Sequence, residues 1–143
     1  MRVVRILMVE DDVDVAGMYR LKLESEGFAV HVATAGEVGL AMASRCAWDL
    51  VLLDMGLPGM DGLQVLAALR GDPRTSALHV VVLSSGDDPD VIERCMELGA
   101  IAYLVKIQTT PAQLSGGVRR WAARPDALAR PVPSTAVPTL SGA

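Results

Sequence analysis

The chain has 143 residues, a length that suits one domain around one core. Hydrophobic residues make up 51% and charged residues 21%, which favours folding over disorder, and aromatics at 3% leave the core to aliphatic side chains. A net charge of -4 and a pI of about 5.1 argue against a domain whose main business is holding nucleic acid electrostatically. No apolar run approaches the ~20 residues a membrane-spanning helix needs. Nor does the N-terminus read as a signal peptide, because the apolar residues after Arg5 soon give way to Glu10, Asp11 and Asp12. These features predict a cytoplasmic protein that neither enters a membrane nor binds nucleic acid directly. Cys46 and Cys95 lie in helical-looking stretches with no CxxC or Cys/His pattern, and are expected to be reduced, buried thiols.

Strand-like and helix-like segments alternate along the chain. Residues 5–9 form an apolar run that ends in acids. Val15, Met18, Tyr19 and Leu23 then recur at helical spacing, and Gly27 stops that helix. Phe28, Val30 and Val32 alternate with Ala29, His31 and Ala33, as in a half-buried strand, and a second helix is expected over 37–45. Residues 49–53 give an apolar strand ending at Asp54, followed by a Gly- and Pro-rich loop. Val65, Leu66 and Leu69 mark a third helix that closes near Gly71 and Pro73. A β-branched strand over 80–83 leads into Ser84, Ser85 and Gly86. Pro89 opens a fourth helix, with Ile92, Cys95 and Met96 on one face and Gly99 at its end. Residues 101–105 form a fifth strand ending at Lys106. Thr110 and Pro111 open a last helix with Leu114, Val118 and Trp121 inward, which Gly116 and Gly117 should each weaken by roughly 1 kcal/mol. From Arg124 the composition turns to Pro, Ala, Ser and Thr, so the domain is expected over 1–124 and a disordered tail or linker over 125–143.

Uniformly apolar strands alternating with helices predict an α/β fold with a parallel sheet covered on both faces. Ligands bind such sheets at the carboxyl ends of the strands. Glu10 and Asp11 follow the first strand, Asp54 the third, Ser84 the fourth and Lys106 the fifth. Three carboxylates brought together resist ionising, and a hard divalent cation such as Mg²⁺ removes the conflict. Asp54 can then act as a nucleophile and form an acyl phosphate. Lys106, one of only two lysines, supplies a cation to the phosphate, and Ser84 a hydroxyl. Asp12 and Asp14 read instead as helix-start acids.

These residues resemble the receiver domain of two-component response regulators. The likeness runs from about Val4 to Trp121 and consists of VEDD after the first strand, LLDMGLPGMDG after the third, VLSSG after the fourth and AYLVK before the last loop. The resemblance implies a flavodoxin-like, doubly wound sheet of five strands in order 2-1-3-4-5 with five helices. It implies a bacterial signalling switch that takes a phosphoryl group from a histidine kinase, a phosphotransfer protein or a small donor, and that is not otherwise an enzyme. By matching position, Asp54 is the phosphoacceptor, and Glu10, Asp11, Asp54 and the backbone carbonyl of Gly56 bind Mg²⁺ or Mn²⁺. Ser84 and Tyr103 are the switch pair, and Lys106 binds the phosphate. Phosphorylation is expected to move the loop after strand four, turn Tyr103 inward and change the surface of helix four, strand five and helix five. That surface would speak to a downstream protein, an output domain or a second copy in a phosphorylation-dependent homodimer.

The sequence departs from the family pattern in three places. Ile107 stands after the lysine, where proline is usual. Position 56 is Gly, where a larger residue is common. Ile101 and Ala102 occupy the positions before Tyr103 where a DNA-binding subfamily that dimerises through this face tends to carry acids, although Arg119 and Arg120 remain. Three other readings compete with the switch. A receiver fold could serve as an unphosphorylated docking module. The DxDx pattern at Asp12 and Asp14 suggests an aspartate-nucleophile phosphatase. A flavodoxin-like nucleotide binder would instead need a phosphate-cradling loop where the acids stand.

Overall fold

The computed structural model describes residues 2–122; the expected tail lies outside them. The strands are β1 (Arg5–Val9), β2 (Ala29–Ala33), β3 (Leu50–Asp54), β4 (Val80–Ser84) and β5 (Ala102–Val105). They alternate with helices α1 (Val13–Ser25), α2 (Gly36–Arg45), α3 (Gly62–Gly71), α4 (Pro89–Glu97) and α5 (Pro111–Ala122). All strand pairs are parallel and the order is β2-β1-β3-β4-β5, as the resemblance implied.

Because every strand is sandwiched between helices, the core is double. Ile6, Met8, Leu50, Leu52, Val81 and Leu83 face α1 and α5, while Leu7, Val9, Val51, Leu53, Val80 and Val82 face the opposite layer. This accounts for the unbroken apolar runs of the central strands. Register carries the design to the functional edge: Val9 lies beside Leu53, Asp54 beside Leu83 and Ser84 beside Val105. The residues that end the strands therefore end together.

Helix boundaries follow local chemistry. Asp12 caps α1, its Oδ1 accepting from the N–H groups of Asp14 and Val15. Asp61 and Gln64 form a capping box on α3, Asp88 caps α4 ahead of Pro89, and Thr110 and Gln113 bond reciprocally at the start of α5.

Four expectations need correction. Met18 is 46% exposed, and Ala16 joins Tyr19 and Leu23 on the buried stripe. Packing against the first core turns Ala16, Tyr19 and Leu23 inward. On β2, Ala33 is buried in the second core while Val30 belongs to the first, although His31 on the face of Ala33 stays exposed, so only the end of that face is covered. Cys46 is exposed, because α2 ends at Arg45 and the chain turns extended there. Gly117 does more than weaken α5: a Cβ there would run into the Trp121 indole, which packs against the first core.

Candidate functional site

The loops leaving β1, β3, β4 and β5 gather the polar residues singled out from sequence. Glu10 is 1% exposed and Asp54 3%, whereas Asp11 is exposed to solvent. One carboxylate oxygen from each of the three lies within 4.8 Å of the others. Glu10 is fixed on one side by the Asp12 N–H, 3.1 Å from Oε2. Asp54 Oδ1 accepts from the Gly56 N–H at 3.0 Å.

Lys106 reaches into this cluster from the end of β5. Its Nζ lies 2.7 Å from Glu10 Oε1 and 3.1 Å from Asp54 Oδ1. Burial works against its ammonium, but the two carboxylates more than offset that and raise its pKa. Burial dominates at Glu10 and pushes its pKa up, despite the help of Lys106. The buried Glu10 Oε1 is held by the Lys106 ammonium at 2.7 Å, which balances its charge from within the site. Three hard carboxylate oxygens gathered together, two of them from buried side chains, suit a divalent cation.

The backbone around Lys106 is a 3₁₀ turn over Lys106–Gln108, in which Ile107 is 86% exposed. Three bonds hold this turn. The Thr109 N–H donates to the Lys106 carbonyl, Thr109 Oγ1 to the Val105 carbonyl, and Tyr19 Oη to the Thr109 carbonyl. Sequence reasoning missed Tyr19 and Thr109. Tyr19 is concealed in the apolar stripe of α1, and nothing in the local pattern joins it to a loop 90 residues away.

Ser84 closes β4 and is buried; its Oγ accepts from the Gly86 N–H at 3.2 Å. Tyr103 is turned inward, its Oη donating to the Gly86 carbonyl at 2.8 Å. Both members of the expected switch pair thus hold the same three-residue loop. A groove of about 330 Å³ lies beside it, lined by Met55, Gly56, Leu63, Ser84, Val91 and Tyr103 among others. Gly56 is exposed at its edge, and a Cβ there would meet only Asp54 Oδ1, at 3.8 Å. Glu10, Asp11, Asp54, Gly56, Ser84 and Lys106 therefore gather at the carboxyl ends of the strands, and Tyr103, within β5, reaches that end through its hydroxyl. Asp12 and Asp14 stand apart from the cluster, at the start of α1.

Comparison with known proteins identifies the family and the fold. Residues 6–116 match the family described as the response regulator receiver domain. The DNA-binding response regulator MtrA of Mycobacterium tuberculosis is 37% identical over 115 residues, covering 80% of this chain and 49% of the relative. Response regulator PleD of Caulobacter vibrioides is 37% identical over 102 residues, covering 71% of this chain and 22% of the relative. The chain thus spans about half the length of the first of these relatives and less of the second. Among solved structures, a CheY-like receiver domain protein from Methanospirillum hungatei superposes with a TM-score of 0.80 over 90% of this chain and 98% of its own. At 24% identity that likeness is one of fold. A sensor protein from Polaromonas reaches a TM-score of 0.77 at 29% identity, over 87% of this chain and 98% of its own. No helix among the described residues is long and apolar enough to cross a membrane. The chain belongs to the response regulator receiver domains of two-component systems.

Proposed function

We propose that Asp54 is the phosphoacceptor of a divalent-cation-dependent switch, with Glu10, Asp11, Asp54 and the Gly56 carbonyl holding Mg²⁺ or Mn²⁺. The observation that carries this reading is the convergence of the three carboxylates within 4.8 Å, two of them buried and sharing the one lysine. When bound, the cation offsets negative charge gathering on the phosphoryl group and its acceptor. Asp54 Oδ1 is engaged by the Gly56 N–H and Lys106, which leaves Oδ2 as the attacking oxygen. Its lone pair forms the O–P bond as the N–P bond of a phosphohistidine breaks, and the imidazole nitrogen leaves with that electron pair. Lys106 then turns part of its attraction from Glu10 to the phosphoryl oxygens, and the Ser84 hydroxyl hydrogen-bonds one of them.

The donor is a histidine kinase or phosphotransfer protein, with acetyl phosphate as a small substitute. The chain catalyses only its own phosphorylation and the hydrolysis that resets it, in the cytoplasm. Val13 and Ile107, both largely exposed, flank the acid cluster in sequence and give a protein donor apolar contacts near Asp54. Output passes through α4, β5 and α5 to a partner, a second copy or an output domain. The DNA-binding function in the name of MtrA fits an output of that kind. Asp12, the candidate nucleophile of a phosphatase, spends Oδ1 on capping α1, which disfavours that alternative.

Intact-mass measurement after acetyl phosphate and Mg²⁺ tests the proposal. One added phosphate, absent from Asp54→Ala and from protein in EDTA, is expected. An unmodified native chain would favour the docking module.

A further inference from the structure

Each of the chain's two tyrosines ties down one of the loops around the acid cluster. Tyr103 Oη donates to the Gly86 carbonyl, beside Ser84. Tyr19 Oη donates to the Thr109 carbonyl at 3.1 Å, in the turn that carries Lys106. Tyr19 is 1% exposed and shares the buried stripe of α1 with Ala16 and Leu23. A phenylalanine would fill the same apolar space. The hydroxyl is therefore the part of this side chain that the core does not need, and once buried it requires a partner. Burial pushes the phenol pKa up, and the charges of Lys106 and Glu10 both reach it.

The turn that Tyr19 reaches has little else to hold it to the domain. Ile107 lacks the ring that fixes φ in proline, and its side chain stands in solvent beside that of Gln108, also exposed. The bonds from the Thr109 N–H to the Lys106 carbonyl and from Thr109 Oγ1 to the Val105 carbonyl close the turn on itself. Among the described residues, Tyr19 alone bonds the backbone of 106–109 to an element distant in the chain. Lys106 must hold its long, flexible stem in one arrangement to keep Nζ 2.7 Å from Glu10 Oε1 and 3.1 Å from Asp54 Oδ1. A turn free to drift would open further arrangements to that stem and raise the entropy lost in holding one.

We infer that Tyr19 is a positioning residue for phosphoryl transfer to Asp54: its hydroxyl fixes the Lys106 turn from inside the domain and so sets where the ammonium meets the phosphoryl oxygens. The transfer rests on the reading of Asp54 as phosphoacceptor; the hold of Tyr19 on Lys106 does not.

Tyr19→Phe removes the hydroxyl and keeps the ring, so the core stays filled. Lys22 and Lys106 are the only lysines, and the full chain carrying ¹³C at lysine Cε therefore gives two NMR signals. Lys22 lies on α1, paired with Glu26, and reports on that helix. In EDTA, Tyr19→Phe should move the Lys106 signal toward the position of Lys22 and leave Lys22 where it was. Thr109→Val loosens the same turn without a change in α1 and should move the Lys106 signal the same way. With Mg²⁺ and acetyl phosphate, Tyr19→Phe should slow the addition of phosphate, followed by intact mass, roughly threefold or more. In a Lys106→Ala background it should slow it no further, because the hydroxyl acts through the lysine. A role confined to the core would slow both backgrounds alike. The positioning role is overturned if the Lys106 signal stays put in either variant, if Lys22 moves with it, or if the slowing is absent or equal with and without the lysine. Should the native chain take no phosphate, the phosphoacceptor reading falls, and the Lys106 signal in EDTA still decides whether Tyr19 positions that lysine.

Discussion

Lys106 Nζ lies closer to Glu10 Oε1, at 2.7 Å, than to Asp54 Oδ1, at 3.1 Å. The lysine thus serves as the internal counter-ion of a buried acid pair. Removing it as Lys106→Met leaves two buried carboxylates without a cation, and such losses cost roughly 3 kcal/mol. Urea denaturation in EDTA should show that deficit, and millimolar Mg²⁺ should shrink it by supplying the missing charge. An equal deficit with and without Mg²⁺ would mean that the ion does not bind among these acids.

Gly56 stands exposed beside Asp54, where a Cβ would lie 3.8 Å from Oδ1. Its Cβ position is open, so Gly56→Met should fold normally and screen the phosphoryl group from water. The half-life of phosphorylated Asp54, followed by intact mass, is expected to lengthen several-fold. A half-life equal to or shorter than that of the native protein refutes the screening.

Ile107 offers apolar surface where it contributes little to the fold. Ile107→Ser should change stability by no more than about 0.5 kcal/mol. Phosphotransfer from a cognate protein donor should slow, while labelling by acetyl phosphate stays constant. Equal rates with the protein donor would remove this residue from the docking face.

Gly117 sets helix propensity against packing. Propensity alone predicts that Gly117→Ala gains about 1 kcal/mol. The Trp121 ring reverses the sign, because it occupies the space the new methyl needs, and a lowered Tm is expected. The double variant Gly117→Ala/Trp121→Ala should be more stable than Trp121→Ala alone, which isolates the propensity gain.

The two cysteines should differ in reactivity. Burial pushes the Cys95 thiol up to about 11 from an ordinary value of 9.0, whereas Cys46 is exposed. Two pKa units alone make the Cys95 thiolate about a hundredfold scarcer at pH 8. Native protein treated with iodoacetamide should gain one adduct, on Cys46. The same shift sets a pH dependence of folding. A thiol whose pKa is raised by folding stabilises fully below pH 9 and loses that contribution as the pH rises through about 11. Cys95→Ala should flatten the fall in Tm over that interval.

Much of this was legible in the sequence because the strands are short, apolar and punctuated by the residues that act. Asp54, Ser84 and Lys106 each end a run of hydrophobic residues, and in a parallel sheet run ends become neighbours. Sequence was less informative where periodicity is shared. Ala16 and Met18 are both compatible with a helical stripe, and only packing against the sheet decides which turns inward. It was silent where a side chain serves distant backbone. Arg70 looks like a surface arginine closing a helix, and its four carbonyl partners lie in two later segments.

The Tyr19–Thr109 bond, spanning 90 residues, ties completion of the site to the last part of the described chain. Glu10 and Asp54 leave the ribosome well before Lys106 and the turn that Tyr19 steadies. Until that turn has emerged and docked, the acids have no internal counter-ion and the pocket no far wall. The pocket proposed to take a phosphoryl group is therefore incomplete until nearly the whole described chain has been made.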